Sequence, residues 1–165
     1  MNVKGTKELN EGELMRWVAE AVMFPLALLP PLDSESQNDE DSIQWLPIEE
    51  DENAAILILK HSGVTARMTF HFDPDTHFVT SMKARRARVN GSNIVYADWE
   101  GFCYEYELHG GLTVPTRMEV GWKLEDDAPL EIYFKGTNHN FIYLMNAHGS
   151  HHAHTKPAGK HAHSE

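Results

Sequence analysis

Residues 97–111 gather several kinds of side chain that could do chemistry: Glu100, Cys103, Glu105, Glu107 and His109, with Trp99, Tyr104 and Tyr106 among them. On a strand, Glu105 and Glu107 stand roughly 7 Å apart along one face. That separation overlaps the carboxylate pairs of glycosidases. Those pairs reach across a substrate from different elements, whereas these two stand side by side opposite Arg117, as solvated surface charges do. Cys103 and His109 would make a thiol–imidazole pair only in contact, and six residues of strand hold them about 20 Å apart. Glycine in a strand, as in Trp99-Glu100-Gly101, marks a bend, a bulge or a close backbone approach. Glu100 shares the parity of Phe102 and is expected to point inward, where a carboxylate needs a partner. Arg86 and Arg88, in parity with Phe78 and Met82, supply one. Such a buried pair is most often structural, and it also suits the polar end of a cavity holding an anionic headgroup.

The remaining candidates are weaker. Six of the 11 histidines, His148, His151, His152, His154, His161 and His163, crowd the C-terminal tail. Clustered imidazoles take up nickel, copper or zinc, but without Cys, Asp or Glu partners in a fold such binding is adventitious. His61, His71, His77, His109 and His139 fall at turns or outward strand positions. No nucleophile elbow, Walker-type loop, dinucleotide glycine pattern or zinc-protease helix is present, and no cofactor is expected. A formal net charge of −11 argues against nucleic-acid binding, and the basic run over 83–88 is too short to reverse it.

Positioning these groups is the task of one domain's worth of chain, 165 residues with 41% hydrophobic and 24% charged. A single cysteine excludes an internal disulfide. The apolar run over 21–32 is broken by Pro25, Pro30 and Pro31 and is too short to span a bilayer. It also lacks a cleavage site, so the expectation is a cytoplasmic chain by default.

Residues 1–9 are expected to be disordered, with a single domain over 10–146 and a disordered tail over 147–165. Within the domain, Asn10 and Glu13 read as a capping box for a helix over 11–24, with Leu14, Trp17, Val18, Ala21 and Val22 on its apolar face and Pro25 at its end. An acidic loop follows over 33–42. From 43 to 135 the period is two, as in an antiparallel sheet with one buried face. Val64, Ala66, Met68, Phe70 and Phe72 form one such set, and Phe102, Tyr104, Tyr106 and Leu108 another. Met118, Val120 and Trp122 form a third, with Leu130, Ile132 and Phe134 a fourth. A loop of Gly110, Gly111 and Leu112 would pair Tyr104 with Met118, Phe102 with Val120 and Glu105 with Arg117. A loop over 126–129 would pair Trp122 with Ile132, Val120 with Phe134 and Lys123 with Glu131. The expected fold is mainly β (α+β): a curved antiparallel meander of about seven or eight strands packed on one N-terminal helix.

The order of motifs resembles a family of uncharacterised proteins known only as a domain of unknown function. The chain carries its E-G-E-L helix at 11–14 with Arg16, Glu20 and Ala21, its P-x-A-L-L-P stretch at 25–30, its A-R-x-R strand at 84–88 and its W-E-G at 99–101. Tyr104 and Tyr106, Val114-Pro115, Glu119-Val120-Gly121-Trp122 and Tyr133-Phe134-Lys135-Gly136 follow in the family's order. The likeness covers about 10–136. It carries no activity and no catalytic residue. It implies a sheet wrapped over a helix, similar to lipoprotein-carrier half-barrels, and a chain keeping only the C-terminal half of a longer domain. A missing half would leave an edge strand and part of an apolar face exposed.

Function is therefore expected to be non-enzymatic: a module whose aromatic sheet face holds an apolar or amphipathic ligand. Trp99, Tyr104, Tyr106, Met118 and Trp122 would line the site, with Arg86, Arg88 and Glu100 at its polar end. The alternative is an interaction or structural protein that completes its sheet with a partner or a second copy. A carboxylate-based hydrolase is the remaining reading. In the plainest version, the helix merely fills the sheet's hollow face.

Overall fold

The computed structural model describes residues 6–30, 41–125 and 127–143. The histidine-rich tail and positions 33–40 of the acidic loop lie outside the described residues. One helix, α1 (Lys7–Glu20), is followed by two 3-10 turns (Ala21–Met23 and Pro25–Leu28) and seven strands: β1 (Ser42–Ile48), β2 (Asp51–His61), β3 (Val64–Phe72), β4 (Val79–Asn90), β5 (Asn93–His109), β6 (Leu112–Lys123) and β7 (Glu131–Thr137). Each strand pairs antiparallel with its sequence neighbours, giving one open sheet in the order β1 to β7.

The helix begins earlier than its capping-box signature suggests. Thr6 is the N-cap, its Oγ1 accepting the Leu9 N–H at 3.3 Å. Asn10 lies inside the helix and donates its own N–H to the Thr6 carbonyl at 3.0 Å. A hydroxyl cap one turn upstream lets the helix nucleate there and propagate through Asn10. Its buried face is Gly12, Met15, Val18 and Ala19, whereas Leu14 is half-buried and Trp17 is 45% exposed. Small residues explain the rotation. A Cβ on Gly12 would lie only 3.8 Å from the Ala87 carbonyl oxygen, so α1 lies close to β4 at that point. Apolar periodicity gives weight to bulky residues and misses an approach made by small ones.

Met15, Val18, Ala19 and Val22 share one core with Leu57, Met68, Phe70, Met82, Trp99, Cys103, Met118 and Val120. Fully burying each larger side chain contributes roughly 1.5–3 kcal/mol. The opposite face is charged, with pairs Lys83–Glu100 at 3.7 Å, Arg85–Asp98 at 3.2 Å, Arg117–Glu105 at 2.9 Å and Lys135–Glu119 at 3.3 Å.

Two registers differ from those expected. The β5–β6 turn has two residues, Gly110 and Gly111, at φ +56° and +87°, and His109 pairs with Leu112. Two successive left-handed residues suit the tight hairpin turn. A loop one residue shorter moves the ladder by one: Cys103 faces Met118 and Gly101 faces Val120, while Tyr104 faces Arg117. That shift turns Trp99, Gly101 and Cys103 toward α1. At β6–β7 the expected Val120–Phe134 pair forms, but the next pair is Gly121–Ile132. Tyr133 is the extra residue of a bulge, and Trp122 faces Glu131 in place of Ile132.

Candidate functional site

Arg86 leaves β4 on the same face as Met82 and is 8% exposed. Its Nη2 donates to the Gly12 carbonyl of α1 at 2.8 Å. Its guanidinium carbon lies 5.0 Å from the Trp99 ring centroid and 5.8 Å from that of Trp122, with Arg88 5.5 Å from Trp122. These are cation–π distances. Burial lowers the Arg86 pKa, while the neighbouring Tyr133 hydroxyl and Glu13 favour the charged form. Among the described residues no carboxylate oxygen lies within 4 Å of either guanidinium. Arg86 Nε and Arg88 Nη1 are shut off from solvent without a hydrogen-bond partner.

Trp99 lies across Gly101. A Cβ there would come within 2.9 Å of indole Cη2 and 3.0 Å of Met82 Cε. The glycine of the Trp-Glu-Gly motif thus clears room for the ring two residues before it. Indole Nε1 donates to the Tyr133 hydroxyl at 2.9 Å, and the Tyr133 ring stacks on Trp122 with centroids 5.9 Å apart. Tyr133 reaches this position as the bulged residue of β7. Sequence reading missed it. The usable signal was Gly121, where a Cβ would meet the Glu131 carbonyl oxygen at 2.8 Å, the close approach that a strand glycine marks.

Between α1 and β4–β7 lies a cavity of about 350 Å³. Ala19 and Met23 wall it on one side; Arg86, Trp99, Met118, Val120, Tyr133 and Phe134 wall it on the other. Arg16 and Glu20 also line it, exposed and paired with each other at 3.6 Å.

Of the residues expected to form a site, Arg86, Trp99 and Met118 line this cavity, while Trp122 stacks on its Tyr133 wall and Arg88 lies over the Trp122 ring. Glu100 does not join them. The register shift turns it to the charged face beside Lys83, so the expected buried pair with Arg86 or Arg88 is replaced by aromatic rings and the Gly12 carbonyl. Tyr104 is on that same outer face, its ring 4.3 Å from the Arg117 guanidinium carbon. Tyr106 turns inward because Glu105, at φ +55°, breaks the alternation. It lines a separate cavity of about 290 Å³ with Trp45, Phe72 and Phe78, and its hydroxyl donates to the Val79 carbonyl at 2.8 Å.

The other constellations are occupied elsewhere. Glu105 holds Arg117, and Glu107 lies 3.4 Å from His109. Cys103 is buried, and desolvation pushes its thiol up to about 12, the reverse of a nucleophile's environment. Asp41, His61 and Ser62 have the connectivity of a serine triad, with Asp41 2.9 Å from His61 Nδ1 and His61 Nε2 3.4 Å from Ser62 Oγ. They stand exposed at the β2–β3 turn, where the same Asp41 oxygen also accepts the Ser62 N–H at 2.9 Å. The carboxylate braces the left-handed turn residue. Among the described residues no three His, Cys, Asp or Glu side chains gather as a metal site, and no helix is long and apolar enough to cross a membrane.

No curated protein and no solved structure matches the chain. The family models do: the run that holds the helix, the Trp-Glu-Gly strand and the bulged Tyr133 is covered in full, from residue 1 to residue 136. The chain belongs to DUF6544, a family of unknown function.

Proposed function

We propose that this protein is a non-enzymatic module that holds an apolar or amphipathic ligand between α1 and strands β4–β7. The observation that carries this reading is a cavity of about 350 Å³ with a buried arginine at one end that no carboxylate oxygen of the described residues approaches within 4 Å. Pockets of roughly 300–1,000 Å³, mostly apolar with a few convergent polar groups, are the usual form of small-molecule sites. Burying a cation without a counter-ion is costly. Cation–π contact and one carbonyl offset part of that cost, and the unpartnered nitrogens show that the balance is incomplete. Much of the sheet's covered face is filled by α1, and this cavity is the one that brings a buried arginine to an apolar lining.

Native mass spectrometry of protein purified without detergent tests it. The folded monomer should carry an extra mass of small-lipid size that disappears on denaturation and is recovered in an organic extract. A folded chain that stays bare, and takes up no added amphiphile, would sink the reading.

A second reading is sheet completion by a second copy at β7. It is favoured by the open edge of that strand and by Tyr133 and Phe134, 54% and 52% exposed. A bare dimer whose mass falls on dilution would move the weight there.

A further inference from the structure

We infer that the ligand is a single-chain amphiphile with an oxyanion head, the head seated against the Tyr133 hydroxyl and the Arg86 guanidinium and the chain lying along Met118, Val120 and Phe134. This inference rests on the ligand-holding reading above and specifies what is held. Donors outnumber acceptors at the Arg86 end of the cavity. Arginine carries five N–H donors and no acceptor, and indole N–H is a donor only. Trp99 directs its N–H at the Tyr133 oxygen, and the Tyr133 hydroxyl is among the groups that favour the charged form of Arg86. Accepting from Trp99, the exposed Tyr133 hydroxyl still has its own O–H to give, and it donates to no other described residue. Arg86 has one nitrogen on the Gly12 carbonyl and another with no partner. This end of the cavity therefore presents a surplus of donors and positive charge. The one carboxylate in the lining, Glu20, is exposed and held by Arg16.

A ligand that completes this end must bring acceptors and negative charge. Charge-assisted hydrogen bonds to an oxyanion are roughly twice as strong as neutral ones, and the low-dielectric surroundings of a buried arginine strengthen them further. A cationic or purely hydrocarbon ligand would leave the same donors unmet. The volume sets the tail. About 350 Å³ lies at the low end of ligand pockets, which suits one chain better than two. The stacked Trp122 and Tyr133 rings hold the donors in place before the ligand arrives, which limits the ordering cost of binding.

Isothermal titration calorimetry on the whole chain tests this, with dodecanoate, monododecyl phosphate, methyl dodecanoate and dodecyltrimethylammonium as probes below their micellar concentrations. Both anions should bind at least tenfold tighter than the methyl ester, and the cation should not bind measurably. The better of the two anions then identifies the head as carboxylate or phosphate. Tyr133→Phe keeps the ring and its stacking, so it should weaken the anions several-fold and leave the ester unchanged, whereas a merely structural role would weaken all probes alike. Arg86→Gln should abolish the preference for anions, with a thermal melt showing that the variant is folded. Equal binding of ester and anion would overturn this inference while leaving the cavity reading intact. Failure of every probe on folded protein would overturn both.

Discussion

Cys103 shows how burial decides what a reactive side chain does. Its thiol is pushed up to about 12 from an ordinary value of 9.0, chiefly by desolvation, with the neighbouring Tyr106 hydroxyl acting the other way. Burial pushes Tyr106 upward as well. Both groups are neutral in the folded protein over the physiological range, and both charge more easily when the chain unfolds. Their contribution to stability is therefore fully present below about pH 9 and is lost as pH rises toward 12, because the unfolded state releases protons that the folded state retains. Urea titrations from neutral to alkaline pH should show this decline, and Cys103→Ala should make it shallower. A slope unchanged in the variant would show that the thiol is not a source of it. The site is also decided at this scale. Arg86 was legible from its parity with Met82, and Met118 from its place in the third alternating set. Tyr133 was not legible by itself: Gly121 marks a close approach of the two strands, but the order Ile132, Tyr133, Phe134 does not say which residue a bulge will take out of the ladder.

At the level of elements, β5 departs from a plain strand at Glu105, a non-glycine residue at φ +55°. That conformation is uncommon for a side-chain-bearing residue and is poorest for β-branched ones. Strand propensity alone would favour valine there; the backbone favours glycine. Glu105→Val should destabilise the protein by about 1–3 kcal/mol, and Glu105→Gly by clearly less. Both variants lose the exposed Arg117 pair, worth about 0–1 kcal/mol, so their difference in urea midpoint reports the backbone. Equal midpoints would mean that β5 relaxes at this point without strain. The elements themselves were largely legible: the helix from its stripe, the hairpins from their alternation and glycine turns. Details were lost where one residue decides them. The choice between a two- and a three-residue turn at Gly110 and Gly111 fixed the face of every side chain from Trp99 to Tyr104. A threonine before the expected cap moved the helix start. Gly12 and Ala19, small and easily overlooked, set which face of α1 is buried.

Across the whole molecule, an antiparallel meander under a single helix could be read from alternation, since one buried face forces it, and the resemblance carried by the order of motifs implied the same sheet over a helix. The long-range contacts that finish the structure could not, because no local pattern encodes them: Arg86 to Gly12, Trp99 to Tyr133, and the Tyr143 hydroxyl donating to the Met23 carbonyl at 3.0 Å. The strand order has a consequence for folding kinetics. Every ladder joins sequence neighbours and closes through a short connection, so the sheet can assemble hairpin by hairpin with little loop-closure entropy. The helix comes first in the chain, yet it packs on strands some fifty or more residues downstream. Its docking is therefore expected to be the late, high-contact-order event. Met15→Ala and Val18→Ala should then cost roughly 2–4 kcal/mol and appear almost wholly as faster unfolding, with refolding rates nearly unchanged in stopped-flow measurements. Refolding slowed in proportion to the lost stability would instead place α1 in the nucleus. Since the Gly12 carbonyl is what fixes Arg86, a chain with a finished sheet and an undocked helix is still without a finished cavity, which is walled only once α1 is in place.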